Sequence, residues 1–209
     1  MTHTLHRVGS DENLREDFVV LAMPSKDINH EGSGPKLQEI IRICLKEGAV
    51  KAGDARLGNE YHQGGLETMI RNIEDRAVVT AVFNDQDKLV NALKAIKAGD
   101  FGMSIVVSGL FDRVKECCHA VGQKVHTVNT SLGRWGATHK LPATEVMEIQ
   151  SMCGHGMVSV DLILDTLDQV KRGAMSLAEA SERLFRPCQC GIFNTDRAQK
   201  RIEAMMEKV

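Results

Sequence analysis

Two short turns carry side chains that can bind a metal or act as nucleophiles. "MCGHGMVS" (152 to 159) sets Cys153 and His155 one residue apart between glycines, and "RPCQCG" (186 to 191) sets Cys188 and Cys190 one residue apart before another glycine. Thiolate and imidazole are the usual soft ligands, and glycines let a chain bend closely round a bulky object. Either pair alone is a weak signal, because thiols close in sequence occur by chance. Together they form two two-ligand turns separated by one helical hairpin, and each leads into a helical pattern. Helices starting near Ser159 and near Asn194 or Thr195 would aim two positive ends at the thiols and favour their anionic form. That chemistry suits an iron-sulfur cluster or zinc, or a low-pKa thiol if no metal is bound.

The remaining cysteines read differently. Cys44 falls on the apolar stripe of Leu37, Ile40, Ile41 and Leu45, so it is expected in the core as a small hydrophobe. Cys117 and Cys118 share a helical stripe with Leu110, Val114 and Val121, and are also expected to pack in the core. Each stays open as a fourth ligand reaching over to the two turns.

"CGH", the segment containing "LDQVKRGAMSLAEASERL", and "CQCGIFNTDRAQKRIEAM" together resemble the bacterioferritin-associated ferredoxin-like [2Fe-2S] domain, a small helical unit also found appended to larger reductases. The resemblance covers residues 152 to 206; residues 1 to 140 resemble no family. It implies a [2Fe-2S] cluster held by Cys153, Cys188 and Cys190. The sequence departs from the family in two places. His155 stands where the family has the second cysteine of its first pair, and Cys188 and Cys190 are one residue apart rather than two. Histidine can replace thiolate on iron, so His155 is expected either to complete the ligand shell or to tune it. The same three cysteines and one histidine are also a zinc complement.

The elements that must position these turns follow from periodicity. "FVVLAM", "AVVTAVF", "MSIVVSGL" and "KVHTVN" read as strands, with amphipathic helices over 35 to 48, 85 to 99 and 111 to 122. Residues 50 to 65 read as a long loop or irregular hairpin before a short helix. Continuous β-branched runs alternating with helices predict an α/β domain over residues 1–140: a mainly parallel sheet with helices on both faces. After Pro142 only helical patterns follow, one of them opening on Ser176 and Glu179 at capping-box spacing. Residues 141–209 are therefore expected to be a small all-helical metal- or cluster-binding unit.

In a parallel sheet the loops after the strands take ligands. The most suggestive is "NTSLGRWG", with Asn129, Thr130, Ser131 and Arg134 as candidate substrate contacts. "HEGSGPK" could offer backbone N–H groups to an anion, but an ordinary helix start with Pro35 at its first position accounts for it better. No nucleotide-binding glycine fingerprint is present. His3, His6 and His62 have no assigned role.

The 209 residues are 43% hydrophobic and 26% charged with a net charge of −2, which fits a globular protein and gives no basic footprint for nucleic acid. No apolar run reaches the roughly 20 residues of a membrane span and the N-terminus lacks a signal-peptide core, so the expected location is the cytoplasm. In that reducing setting, six cysteines point to metal or thiol chemistry rather than disulfides. The leading expectation is an iron-sulfur protein in electron transport, or an oxidoreductase acting on a small molecule, served by a redox partner protein or forming a homo-oligomer. The alternatives are a binding or regulatory module stabilised by zinc, and a cofactor-free enzyme with Cys153 as nucleophile.

Overall fold

The computed structural model describes residues 3–207, with the side chain of His3 outside that description. A short 3-10 turn at His3–His6 and helix α1 (Asp11–Leu14) lead into β1 (Phe18–Met23). Then come α2 (Ser33–Lys46), β2 (Lys51–Asp54), β3 (Gly58–Asn59), α3 (Glu60–Gln63), α4 (Leu66–Arg71) and β4 (Val79–Phe83). The first part closes with α5 (Gln86–Ala98), β5 (Ser104–Ser108) and α6 (Phe111–Ala120). From Thr144 onward the described residues form only helices: α7 (Thr144–Gln150), α8 (Val160–Lys171), α9 (Leu177–Phe185) and α10 (Thr195–Glu207).

The five strands form one sheet in the order β3-β2-β4-β1-β5, and every neighbouring pair is antiparallel. This overturns the expected mainly parallel sheet. The alternation of strand and helix is present, but its crossovers do not join neighbours. β1 and β2 point the same way with β4 between them, and β4 and β5 point the same way with β1 between them. This is a split β-α-β arrangement, in which two interleaved crossover units yield only antiparallel contacts.

The continuous apolar run of β1 has a second cause. Phe18, Val20 and Ala22 face one core with α2, α4 and α5, where Leu37, Ile40, Met69, Leu89 and Leu93 are buried. Val19 of β1 and Val82 of β4 face another core, formed with α7 to α10 by Ile149, Ile163, Leu184, Phe185, Phe193 and Ile202. Both faces of an antiparallel sheet are covered, so its strands lose the usual apolar and polar alternation and look like buried parallel strands. Each large side chain buried on either face contributes roughly 1.5–3 kcal/mol.

The irregular hairpin expected over 50 to 65 is β2 and β3, with Asp54 facing Gly58 across the turn. "KVHTVN" is not a strand. Its residues are exposed, and Lys124 to Thr127 instead flank a surface groove of about 600 Å³ beside β5, the sheet edge. The capping box is formed, Ser176 Oγ accepting from Glu179 N–H at 3.2 Å and the Glu179 carboxylate from Ser176 N–H at 2.9 Å. Among the described residues no helix is long and apolar enough to cross a membrane.

Candidate metal-thiolate site

Cys153 sits in the turn between α7 and α8. Its N–H continues the last turn of α7 by donating to Gln150 O at 3.2 Å, and Gly154 and Gly156, at φ of 69° and 72°, then turn the chain round His155. Cys188 and Cys190 sit in the turn between α9 and α10, where Cys188 N–H donates to Phe185 O at 2.8 Å and Gly191 N–H to Cys188 O at 3.0 Å. The two turns meet in the core between the sheet and the four C-terminal helices. Cys153 and Cys188 are fully buried and Cys190 is 3% exposed, while residues 154 to 157 lie on the surface above them.

The three sulfurs form one contact set. Cys188 hydrogen-bonds to both Cys153 and Cys190, and Cys190 Sγ lies 3.5 Å from His155 Nδ1. The Cys188 contact, backed by the backbone N–H groups of His155 and Met157 against the cost of burial, lowers the Cys153 pKa to about 6. The Cys188 thiol moves far the other way, because its contacts with Cys153 and Cys190 and its burial all favour the protonated form. Three thiols therefore share a site in which one is a thiolate near neutral pH. The backbone donors that reach Cys153 come from its own turn. The helix starts behind it are spent on caps: Ser159 Oγ accepts from Leu162 N–H at 3.2 Å, and Asn194 Oδ1 from Arg197 N–H at 3.0 Å.

Among the described residues no group of three or more His, Cys, Asp or Glu side chains stands arranged to hold a metal ion as it is. Cys188 hydrogen-bonds to the other two free thiols, so a metal must replace those contacts. The donor set suits such a replacement, since soft thiolates and an imidazole at an exposed glycine-flanked turn can rotate onto a shared centre.

The sheet fixes the second turn. Asn59 Nδ2 donates to Cys188 O at 2.9 Å, to Arg186 O at 3.2 Å and to Phe185 O at 3.4 Å. Thr80 Oγ1 donates to Cys190 O. Gly53 and Gly191 lie backbone to backbone at the same place. The first turn is tied to the second through the N-terminal segment. Arg7 pairs with Asp17 and donates to Ile192 O and, at 3.2 Å, to Met152 O, so that one guanidinium bridges both turns. Arg197 Nη1 holds the other oxygen of Asp17 at 2.8 Å, with all three charged side chains buried. Burial lowers the Arg197 pKa and Asp17 opposes that shift.

These supporting residues left little trace in the sequence. A charged residue whose partners are far along the chain looks like any solvated one, and Asn59 looked like part of a polar loop. The one available signal was Asp17 standing directly before the buried run of β1.

The other expected site residues lie apart from the three thiols. Cys117 is buried in the core on the opposite face of the sheet, where burial raises its pKa to about 11, and Cys118 lines the groove beside β5. Cys44 is in the same opposite core, its pKa raised to about 12 by burial. Asn129, Thr130, Ser131 and Arg134 are exposed. Ser131 Oγ meets His6 Nδ1 at 3.2 Å, and Arg134 Nη1 reaches Met147 Sδ at 3.4 Å. His62 Nδ1 lies 3.0 Å from Asn59 Oδ1, where it helps orient that amide.

The N–H groups of "HEGSGPK" do hold an anion, and it belongs to the chain. The Asp75 carboxylate accepts from Gly32 N–H at 2.8 Å and from Gly34 N–H at 2.7 Å, and these bonds lower its pKa. Helix α2 begins at Ser33, two residues ahead of Pro35.

No family model, curated protein or solved structure matches this chain.

Proposed function

We propose that this protein carries a metal-thiolate centre on Cys153, Cys188 and Cys190, with His155 as fourth ligand, and that the centre is an iron-sulfur cluster used in electron transfer. The observation that carries this reading is the contact set itself. Three cysteines from two turns meet in a buried place, one of them a thiolate near neutral pH, with a histidine beside them. Burial of three thiols for packing alone would not need the backbone N–H groups of His155 and Met157 on one sulfur. A bound cluster would supply a one-electron couple, and histidine on iron would raise its potential. Residues 154 to 157, which follow Cys153 in its turn, are exposed, so the centre would lie near the surface, within reach of a partner protein.

A second reading, structural zinc, has its own support. Cys188 touches both other thiols, and sulfurs around one zinc ion stand roughly 3.8 Å apart, given zinc-sulfur bonds of about 2.3 Å.

Protein purified without oxygen decides between these readings. Visible charge-transfer absorption with iron and acid-labile sulfide in equal amounts is the expected result. Colourless protein with stoichiometric zinc would establish the second reading. Protein that takes up neither, with Cys153 alkylated selectively and fast, would leave a thiol enzyme.

A further inference from the structure

We propose that two copies of this chain form a dimer in which segment 124 to 129 of each copy pairs, as a strand, with the outer edge of β5 in the other. Two halves of an unmade sheet contact stand side by side in the structure. β5 ends the sheet and pairs only with β1, so one row of its N–H and C=O groups faces no described strand. Across the groove of about 600 Å³ lies "KVHTVN", whose Val125, Thr127 and Val128 favour extended chain. Among the described residues no backbone group from 124 to 135 bonds to another backbone group. Each half has what the other lacks, and neither takes it within the chain.

The arm that carries this segment stands clear of the body. Every residue from 122 to 141 is exposed, Val125, Val128, Leu132, Trp135 and Leu141 among them. A run this long without strand or α-helix is uncommon in a compact domain, and binding loops are one of its main uses. The arm is held at points on either side of the segment. Lys97 Nζ donates to Val121 O at 2.7 Å and to Gly122 O at 3.3 Å, while Ser131 and Arg134 meet His6 and Met147. Beside the segment the groove offers Phe101, Met103, Ile105, Val107, Val114 and Val121, all only partly buried.

Charge and size select a second copy as the occupant. The run 122 to 141 holds the cations Lys124, Arg134 and Lys140 and no acid, and taking these three from the chain's net −2 leaves −5 on the rest. A positive arm thus meets a negative body, and Asp100 lines the groove itself. Arm and groove together match the roughly 20–30 residues a side of a stable interface. Exchange about a two-fold axis completes both halves in both copies with one kind of contact.

Sedimentation velocity of the reduced full-length protein over a concentration series tests this. The expected result is a dimer that dissociates on dilution, and more readily at high salt. Val125→Asp combined with Val128→Asp should weaken it by about tenfold or more, because two carboxylates would be buried against the groove. The fold itself should be kept, since both side chains are exposed in the single chain. Replacing 124 to 129 with an equal length of glycine and serine should give a monomer, and amides of β5 that exchange slowly in the dimer should exchange faster there. A dimer that survives this replacement is formed elsewhere and overturns the proposal. So does a wild type that is monomeric at every concentration, whether protected amides show the arm folded onto its own β5 or unprotected ones show an edge left to a foreign protein.

Discussion

Gly53 of β2 and Gly191 of the second thiol turn touch through their backbones. A Cβ on Gly53 would stand 2.6 Å from Cys190 O, and one on Gly191 would stand 2.5 Å from Ala52 O. Gly191 also has a φ of 74°, which disfavours any side chain. The thiol turn is therefore seated on the sheet by the absence of two side chains. Gly53→Ala should lift the turn from β2 and cost about 3 kcal/mol or more in urea unfolding, since the clash is with backbone that has nowhere to go. A loss below about 1 kcal/mol would mean that the seat is looser than this contact implies.

Asn59 is the polar half of the same seat. One amide group serves three carbonyls at the end of α9 and in the turn, while its own oxygen accepts from Tyr61 N–H at 2.9 Å. Asn59→Ala should cost about 1–3 kcal/mol, because buried carbonyls lose their donor. Asn59→Asp should be worse, placing a carboxylate against carbonyl oxygens. Thermal melts of the metal-free proteins test that order, and equal stability of Asn59→Asp and wild type would refute it.

The thiols give the metal-free, reduced protein a stability that rises and then falls with pH. Between about 6 and the ordinary thiol value of 9.0, the folded chain has lost the Cys153 proton while the unfolded chain keeps it, so stability grows with pH. Above 9.0 the unfolded chain releases protons that Cys188 and Cys44 retain in the fold, so stability declines. Urea unfolding across this range should show both limbs. Cys153→Ala should flatten the rise and leave the decline.

On the proposed metal-thiolate centre, metal content should separate the cysteines into two groups. Cys188→Ala removes the thiol that touches both others and should abolish metal uptake and slow alkylation of Cys153, whose pKa it lowers. Cys118→Ala, beside the groove at β5, should leave metal content unchanged. His155→Ala should weaken retention by about 10–100-fold if its ring is a ligand or supports one. Metal analysis after anaerobic desalting reads all three, and loss of metal in Cys118→Ala would overturn the assignment.

Much of the local structure was legible in the sequence. The stripe of Leu37, Ile40, Ile41 and Cys44 gave α2, and Ser176 with Glu179 gave the start of α9, because helix periodicity and capping depend on residues a few positions apart. The sheet was misread for an identifiable reason. A strand buried on both faces has the same apolar run whether its neighbours are parallel or antiparallel, and Val19 and Val20 carry no mark of which core each will meet. "KVHTVN" has strand composition, yet no described strand pairs with the outer side of β5, and strand propensity expresses itself only when a partner is present.

By itself, the sequence determined that two glycine-flanked turns, each carrying potential ligands, lie between amphipathic helices, because turns and helices are set by neighbours along the chain. Only the tertiary structure decided that Cys153, Cys188 and Cys190 share one place, that Asn59, Thr80 and Gly53 of the sheet seat them, and that Arg7, Asp17 and Arg197 form a charged cluster against both turns. Those relations join residues far apart in the chain, and they follow from how β1, β2 and β4 are ordered and which faces the helices cover, which local pattern does not encode.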